Sequence, residues 1–363
     1  MREHFEGNRR FDAEHTPLGR SAGQVDWARL EEVGDLHFHA SAYSSALDYY
    51  RQLLDDRVLF QLPLLKALGV VRKATDANIL LGQYHRVEEL INTAFGLIED
   101  SPDAGADPDL VVQRAIFQVR LAVVHRERGQ LQESLQVSKA AFSVLALTDE
   151  HADVARLQAG MGIVHYRLGR MEKAEEFYSD SLATFRRIGN DLGVANLVNN
   201  LALLHKNGCS WDKARGLMEK ALDLANRIGA SHLLPGFYLN QAIILMKTDR
   251  LGEARPYLDK GLRLAQGLGD RLRLTRLTLA MGRLQTLAGR LASAEEFILE
   301  AQSLAEQNRY ARELAIADEY LGDVLLGRGE FDKALFNYKL GLQKSRAIAV
   351  GNDLEGELLR RVG

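Results

Sequence analysis

Few residues in this sequence are spaced for catalysis. Residues 19–23 read Gly-Arg-Ser-Ala-Gly, the Gly-x-Ser-x-Gly pattern in which Ser21 would be a hydrolase nucleophile. That chemistry needs a strained turn between a buried strand and a helix. Here the motif lies in a polar segment with no strand pattern before it. The sequence contains neither a Gly-x4-Gly-Lys-Ser/Thr phosphate loop nor a His-Glu-x-x-His pair. We therefore predict no enzymatic activity and no catalytic residue.

Histidines at a recurring position offer the next candidate for chemistry. They lie nine residues before the repeated position defined below, and three of them are spaced by 40 residues: His37, His125, His165 and His205. Zinc needs ligands at about 2 Å, whereas neighbouring packed helices are about 8–10 Å apart. We interpret these histidines as structural. A pH-responsive stack is the alternative, because histidine titrates near neutral pH.

Other candidate ligands are sparse. Asp103, Asp107 and Asp109 cluster in a loop-like segment, but calcium needs a fuller and more tightly spaced set of oxygen ligands. The single cysteine, Cys209, excludes an internal disulfide. We predict no metal and no cofactor.

Composition constrains location and partners. The 363 residues carry a net charge of −3, which gives no reason to expect nucleic-acid binding through an overall field. The longest nearly apolar stretch, Val58–Val71, is too short to span a membrane, and no secretion signal is recognisable. We predict a cytoplasmic protein with no membrane association.

The dominant feature of the sequence is an internal repeat. The motif Gly-x-φ-x-x-Ala, where φ is apolar, recurs with its last residue spaced by 40 residues over most of the chain. Two earlier, less regular copies bring the number of units to eight. We number them units 1 to 8 by their anchor residues Ala46, Val87, Ser134, Ala174, Ala214, Ala254, Ala294 and Ala334.

Other columns of the repeat agree in register. The residue twelve before each anchor is small, as in Gly162 and Ala202, with Thr75 as the exception. Apolar residues between these columns have helical spacing, as in Leu157, Met161 and Val164. Several units end in an apolar residue followed by glycine, which suits a helix C-terminus. Each unit is therefore predicted to be two helices joined by a short turn.

These columns resemble the tetratricopeptide repeat over about residues 27–363. The period of 40 is similar to the subgroup in kinesin light chains, Pins-type adaptors, Rap-type bacterial regulators and MalT-like activators. The resemblance implies an all-α, right-handed superhelical solenoid of eight helix-turn-helix units. The usual proline between repeats is absent here.

The two ends depart from the repeat. Residues 1–26 are polar and aperiodic, and we predict a mobile tail or an arm packed on unit 1. Residues 353–363 match the first helix of a ninth unit, with Gly363 at the small-residue position. Solenoids need a polar closing helix, so we expect the chain to be a fragment of a longer protein. A natural end with one capping helix is the alternative.

The resemblance also implies where a partner binds. In this family the first helix of each unit lines a concave groove that holds peptides or partner helices. The matching polar positions here are mostly basic or asparagine, with Glu127 as the one acid. The predicted groove set is Arg120, Arg126, Arg156, Tyr166, Arg167, Asn196, Asn199, Asn200, Lys206, Asn207, Asn240, Lys247, Arg276 and Arg283. Arginine holds carboxylates in a bidentate manner and asparagine bonds peptide groups. Units 1 and 8 reverse the sign with Glu31, Asp35, Glu319 and Asp323.

Apolar residues are interspersed in the same groove, at Ile163, Leu203, Ile243, Met246 and Leu279. We predict a non-catalytic module that binds an acidic peptide or protein, as the sensor or scaffold arm of a larger bacterial regulator. The alternatives are a receptor for a small signalling peptide or ligand that compacts the superhelix, and a nucleic-acid-binding role, which steep salt dependence would reveal. An uncapped last helix would also allow homodimerisation.

Overall fold

A computed structural model describes residues 26–40, 42–348 and 353–362. Residues 1–25 of the predicted tail or arm (1–26), with Ser21, and the predicted small residue Gly363 lie outside the described residues. Within the described ranges the chain forms only helices and turns, and consecutive helices pack as antiparallel pairs. The all-α solenoid is confirmed.

The helix boundaries follow the repeat. The helices are α1 (Trp27–His39), α2 (Tyr43–Leu53), the short α3 (Asp56–Leu59), α4 (Leu64–Leu80), α5 (Tyr84–Glu99), α6 (Pro108–Glu127), α7 (Leu131–Leu145), α8 (His151–Arg167), α9 (Met171–Arg187), α10 (Asp191–Asn207), α11 (Trp211–Arg227), α12 (Leu234–Lys247), α13 (Leu251–Leu268), α14 (Arg271–Leu287), α15 (Leu291–Gln307), α16 (Ala311–Gly327), α17 (Phe331–Ile348) and α18 (Asp353–Val362). Units 1 to 8 begin with α1, α4, α6, α8, α10, α12, α14 and α16. The ninth helix of this series is α18.

The turn inside each of units 2 to 8 contains a residue with a left-handed backbone. Gly169 has φ 73° there, which suits glycine because no Cβ opposes it. In units 5 and 6 the same position is held by Cys209 and Asp249, with φ 56° and 58°. The turn geometry therefore persists without glycine, and Cys209 stands in a glycine position, as its place in the repeat indicated.

Small residues set the distance between the two helices of a unit. Anchors such as Ala174 are fully buried. Twelve residues earlier, Gly162 faces the ring of Tyr178, and a Cβ there would lie 2.5 Å from that ring. The neighbouring unit pairs Ala202 with Met218 at these positions. A larger residue on the second helix is therefore matched by a smaller one on the first, as close packing requires.

First helices lie on the inside of the curve. Each of α4, α6, α8, α10, α12 and α14 approaches the next unit's first helix, whereas successive second helices make no comparable approach within the described residues. The coil also returns on itself, because the ring of Tyr43 in unit 1 lies 6.1 Å from that of His232, between units 5 and 6. The inner surface is thus formed by first helices.

Candidate functional site

The residues of the predicted groove set lie on the inner helices, and many bind side chains of neighbouring units. Arg120 is the clearest case. Its guanidinium holds both carboxylate oxygens of Asp76 at 3.0 Å and reaches Asp153 at 2.5 Å. Only 3% of Arg120 is exposed. Burial opposes its charge, but the two carboxylates outweigh burial and raise the pKa of Arg120. Arg120 therefore fastens α4, α6 and α8 together and does not face a partner.

Arg156 and Arg276 are also paired but stay more open. Arg156 donates to Asp153 at 3.0 Å, and its side chain is 48% exposed. Arg276 donates to the buried Glu313 at 2.7 Å and is 44% exposed. Each has a carboxylate partner within the protein, so neither brings an unmatched charge to the inner surface.

An excess of positive charge occurs where α6 meets α8. Arg126 donates through Nε to Glu127 at 2.8 Å, and Arg167 reaches the same carboxylate at 3.2 Å. Arg167 also donates to the backbone oxygen of Arg126 at 2.7 Å. Two guanidinium groups thus share one carboxylate, which leaves a net charge of about +1. Burial would raise the pKa of Glu127, but the two arginines outweigh burial and lower it.

This arginine pair has unused donors. The Nη groups of Arg126 donate no hydrogen bond to any described residue. Arg126 lies against Gly160, where a Cβ would be 3.4 Å from its Nη1 atom. Beside the pair, Asn207 donates to the hydroxyl of Tyr166 at 2.5 Å, and Lys206 stands on the same end of α10. We call Arg126, Glu127, Tyr166, Arg167 and Asn207 the central arginine cluster.

Asparagines continue the inner surface toward unit 6. Asn240 donates to Asn199 at 2.9 Å, across α12 and α10, and Asn199 donates weakly to Asn200 at 3.3 Å. Asn196 donates to its own helix at Leu192. An amide offers two donors and an acceptor with two lone pairs, so these four asparagines keep unused hydrogen-bonding capacity. We call them the asparagine ladder.

The remaining predicted groove residues are dispersed. Lys247 is exposed at the end of α12. Arg283 donates to the hydroxyl of Tyr320 at 3.1 Å and lies 5.0 Å from its ring centroid. Of the predicted apolar positions, Leu279 and Met246 are buried in the core, whereas Ile163, Leu203 and Ile243 are half-buried.

Unit 1 closes one end of the inner surface with a saturated acidic group. The hydroxyl of Tyr50 donates to Asp35 at 2.7 Å, and Lys73 of the next unit reaches Asp35 and Glu31 at 2.6 Å each. Lys66 forms a second ion pair with Glu31. Burial would raise the pKa of Glu31, but these two lysines outweigh burial and lower it.

Unit 8 carries the corresponding group at the other end. The hydroxyl of Tyr338 donates to Asp323 at 2.8 Å, and Arg361 of α18 reaches Asp323 at 2.9 Å. Glu319 lies 3.8 Å from Arg361, and its Oε1 atom is buried without a hydrogen-bond partner. Burial, and then repulsion from Glu357, raise the pKa of Glu319 to about 7. Sequence reasoning missed the cations Lys66, Lys73 and Arg361.

The recurring histidines pack against rings of the second helix in two units. His37 stacks on Tyr49 and His165 on Phe177, both at 5.3 Å between ring centroids. Burial lowers the pKa of His165. This geometry fits the structural interpretation.

Among the described residues, no three histidine, cysteine, aspartate or glutamate side chains are grouped for metal binding. Across the same part of the chain, no helix is both long and apolar enough to cross a membrane. The cytoplasmic location stays a prediction.

Comparison with known proteins agrees with this architecture. The family described as tetratricopeptide repeat matches residues 113–187, from α6 to the end of α9. No curated protein gives a significant sequence match. A solved Rap protein complexed with Competence and Sporulation Factor superposes with a TM-score of 0.64 at 13% identity, over 89% of this chain and 98% of its own.

Two further structures are similar. NprR in complex with its cognate peptide NprX has a TM-score of 0.61 at 14% identity, over 80% of this chain and 81% of its own. A signal transduction ATPase from Pyrococcus horikoshii with a tetratricopeptide repeat sensor has a TM-score of 0.56 at 14% identity, over 94% of this chain and 50% of its own. At such identities the likeness establishes the fold alone.

Together, the helix pairs and their register define the chain as a helical repeat solenoid. Its repeats resemble tetratricopeptide repeats, and the family model matches two of them, units 3 and 4.

Proposed function

We propose that this solenoid is a non-catalytic module that binds a peptide or a protein segment on its inner surface. The observation that carries the proposal is the central arginine cluster, where Arg126 keeps unused Nη donors beside the asparagine ladder. The Rap and NprR structures, which were solved with a factor and a peptide respectively, support the same class of ligand.

The charges favour an acidic ligand at one defined place. Arg120, Arg156 and Arg276 are matched by carboxylates of the protein itself. Arg126 and Arg167 share a single carboxylate, so a carboxylate from a ligand would balance the charge of this pair. Paired guanidinium groups bind carboxylates strongly because both partners are charged and their geometries match. We place the acidic contact there, between α6 and α8.

The asparagine ladder would hold the ligand backbone. Its amides lie along α10 and α12, next to the arginine pair along the curve. An amide that donates to a peptide C=O and accepts from a peptide N–H recognises an extended chain without reading its sequence. Half-buried Ile163 and Leu203 would contact apolar side chains of the same ligand.

A displayed library of random peptides tests this function. We expect the selected peptides to carry an acidic side chain or a free terminal carboxylate. The variant with Arg126→Gln and Arg167→Gln should weaken their binding at least about tenfold, because charge-assisted hydrogen bonds are lost. The matched control is Arg227→Gln, an exposed arginine on the second helix of unit 5. Equal binding by wild type and the double variant would refute the site.

Compaction on binding is a second candidate function, favoured by the contact between Tyr43 and His232. This contact brings successive turns of the coil together. A ligand on the inner surface would draw these turns closer and make the superhelix more compact. A selected peptide should then reduce the radius of gyration in small-angle X-ray scattering. We also propose that the module is the sensor or scaffold arm of a larger regulator, as the tetratricopeptide sensor of the Pyrococcus ATPase suggests.

A further inference from the structure

Glu319 is a buried carboxyl group that the protein leaves unsatisfied. Its side chain is 3% exposed, and neither of its oxygens accepts a hydrogen bond from any described residue. The nearest cation, Arg361, is 3.8 Å away and donates instead to Asp323 at 2.9 Å. Burying a charged group without a partner is costly, so this position calls for a cation or a proton.

Unit 1 shows what fills the same position elsewhere in the chain. Lys66 and Lys73 lie 35 and 42 residues after Glu31, and both contact it. The residues 35 and 42 positions after Glu319 are Leu354 and Arg361. The cation that corresponds to Lys66 is therefore absent at unit 8, because Leu354 stands in its place and is buried in the core.

The remaining neighbours do not supply that cation. Glu357 of α18 adds a negative charge where unit 2 has Gly69, which is 38 residues after Glu31 as Glu357 is after Glu319. Arg283 offsets part of the negative charge, but its guanidinium bonds the hydroxyl of Tyr320. Arg360 pairs with Glu357 at 3.3 Å on the exposed side of α18.

We propose that unit 8 and α18 form a cation-binding site, in which Glu319, Asp323 and Glu357 receive an ammonium or guanidinium group of a bound peptide. The group would be a lysine or arginine side chain or the amino terminus. Asp323 and Glu357 form the accessible rim, with side chains 17% and 45% exposed, and Glu319 lies beneath them. The cation takes the place that Lys66 fills at unit 1.

This site rests on the proposed function in one respect, because it gives the bound peptide a direction. A negative group at the central arginine cluster and a positive group at unit 8 together specify a ligand with opposite charges at its two ends. Either site can fail without the other, since a single charged residue is enough to probe unit 8.

The test is a titration of the full chain with N-acetyl-lysinamide at pH 8, followed by methyl NMR of Leu354 and Leu358. Both leucines pack against Tyr338 in the core of unit 8. We expect saturable shifts of these methyl signals. The double variant Arg126→Gln/Arg167→Gln should bind the probe as wild type does, even if it loses peptides.

Glu319→Gln should weaken probe binding about tenfold, because the new amide keeps the shape and loses the charge. Glu357→Gln should also weaken probe binding, because it removes a second negative charge from the site. It serves as the test if Glu319→Gln alters the packing of unit 8. The matched control is Glu300→Gln, an exposed carboxyl on α15. Equal shifts with the uncharged diacetyl-lysinamide, or unchanged binding in Glu319→Gln, would overturn the site. So would an absence of shifts while Glu319 titrates near neutral pH, because a proton would then replace the cation.

Discussion

Units 1 and 8 build nearly the same group of side chains at opposite ends of the solenoid. Each has a glutamate, a glycine and an aspartate on its first helix and a tyrosine on its second, in identical spacing. The pairs are Glu31 and Glu319, Gly34 and Gly322, Asp35 and Asp323, and Tyr50 and Tyr338.

Packing is conserved between the two groups. A Cβ on Gly34 would lie 2.6 Å from the Tyr50 ring, and one on Gly322 would lie 2.4 Å from the Tyr338 ring. Burial and the hydrogen bond to aspartate raise the pKa of both tyrosines. This part of the group depends only on residues within the unit.

Electrostatics differ because the cations come from the following helix. The pKa of Glu31 is lowered, since two lysines outweigh its burial, whereas that of Glu319 is raised to about 7. The same local pattern thus lowers the pKa of the glutamate at one end and raises it at the other. The charge of the inner surface is set between units, not within them.

The largest expected effect tests what the two units share. Gly34→Ala and Gly322→Ala should each destabilise their unit by about 3 kcal/mol, because the new Cβ collides with a buried ring. Hydrogen exchange resolved by unit is the measurement, since terminal repeats open separately.

To show that the collision with the tyrosine ring causes the loss, Tyr50→Met or Tyr338→Met is added to the corresponding glycine variant. Alanine opposite methionine is the combination that unit 5 uses in Ala202 and Met218. Stability should recover in part. Single glycine variants as stable as wild type would show that the tyrosine rings move aside.

Removing the shared cation should affect the two ends unequally. Lys73→Met should cost about 2 kcal/mol, because Lys73 bridges two carboxylates at 2.6 Å. Arg361→Met should cost about 1 kcal/mol, since only Asp323 is in close contact. Both cations are about one-third exposed, so solvent reduces each effect. If the two variants lose the same free energy of unfolding in a denaturation experiment, Lys73 and Arg361 stabilise their units equally and the proposed difference between the ends is wrong.

Replacing the glutamate should change stability in opposite directions. Glu31→Gln should destabilise unit 1 by about 1 kcal/mol, because Lys66 loses its carboxylate partner and Lys73 keeps only Asp35. Glu319→Gln should stabilise unit 8 by about 1 kcal/mol at pH 8, because a buried charge is removed. The measurement is the free energy of unfolding at several pH values.

The stability of unit 8 should depend on pH through the protonation of Glu319. Between the unfolded pKa of 4.5 and the folded pKa of about 7, folded Glu319 binds more protons than the unfolded chain. Wild-type unit 8 should therefore gain stability as the pH falls from 8 toward 4.5. The advantage of Glu319→Gln should vanish near pH 5, and an advantage that persists there would contradict the assignment.

The fold was predictable because it is encoded locally. Column identity, such as the alanine at 174 and the glycine at 162, specifies two helices and their distance within each unit. The roles of the groove residues were less accessible, because their partners belong to other units. From the sequence, Arg120 was expected to face a ligand. In the structure it binds Asp76 and Asp153, which lie 44 and 33 residues away in the sequence.

A signal for such contacts exists in the sequence once the period is known. Contacts between neighbouring inner helices join residues about one repeat apart: Asn207 and Tyr166, or Asn240 and Asn199, at 41 residues. The same spacing, within one residue, joins Lys73 to Glu31 and Arg361 to Glu319. Opposite charges at this offset would have marked Lys73 and Arg361 as neighbours of Glu31 and Glu319. The partners of Arg120 would still have been missed, because they lie 44 and 33 residues away.

The smallest expected effect on stability belongs to a variant that gives unit 1 the side chains of unit 8. Lys66→Leu gives unit 1 the residue that unit 8 has in Leu354. Its cost should be about 0.5 kcal/mol, because Lys66 is half-exposed and Lys73 remains. The pKa of Glu31 should nevertheless rise from its lowered value, which carbon-detected NMR of the carboxyl group measures.

The same variant tests whether a missing cation is what makes a binding site. Lys66→Leu should add a second site for N-acetyl-lysinamide, so that the chain binds two molecules instead of one. Lys213→Leu is the control, because Lys213 is an exposed lysine whose nearest carboxylate, Glu175, lies 3.7 Å away on an outer helix. If the pKa of Glu31 does not change, the lost lysine is not the cause of the difference between the ends. The deeper burial of Glu319 and repulsion from Glu357 would then account for unit 8, and Glu357→Gln should lower the pKa of Glu319 in the wild-type background.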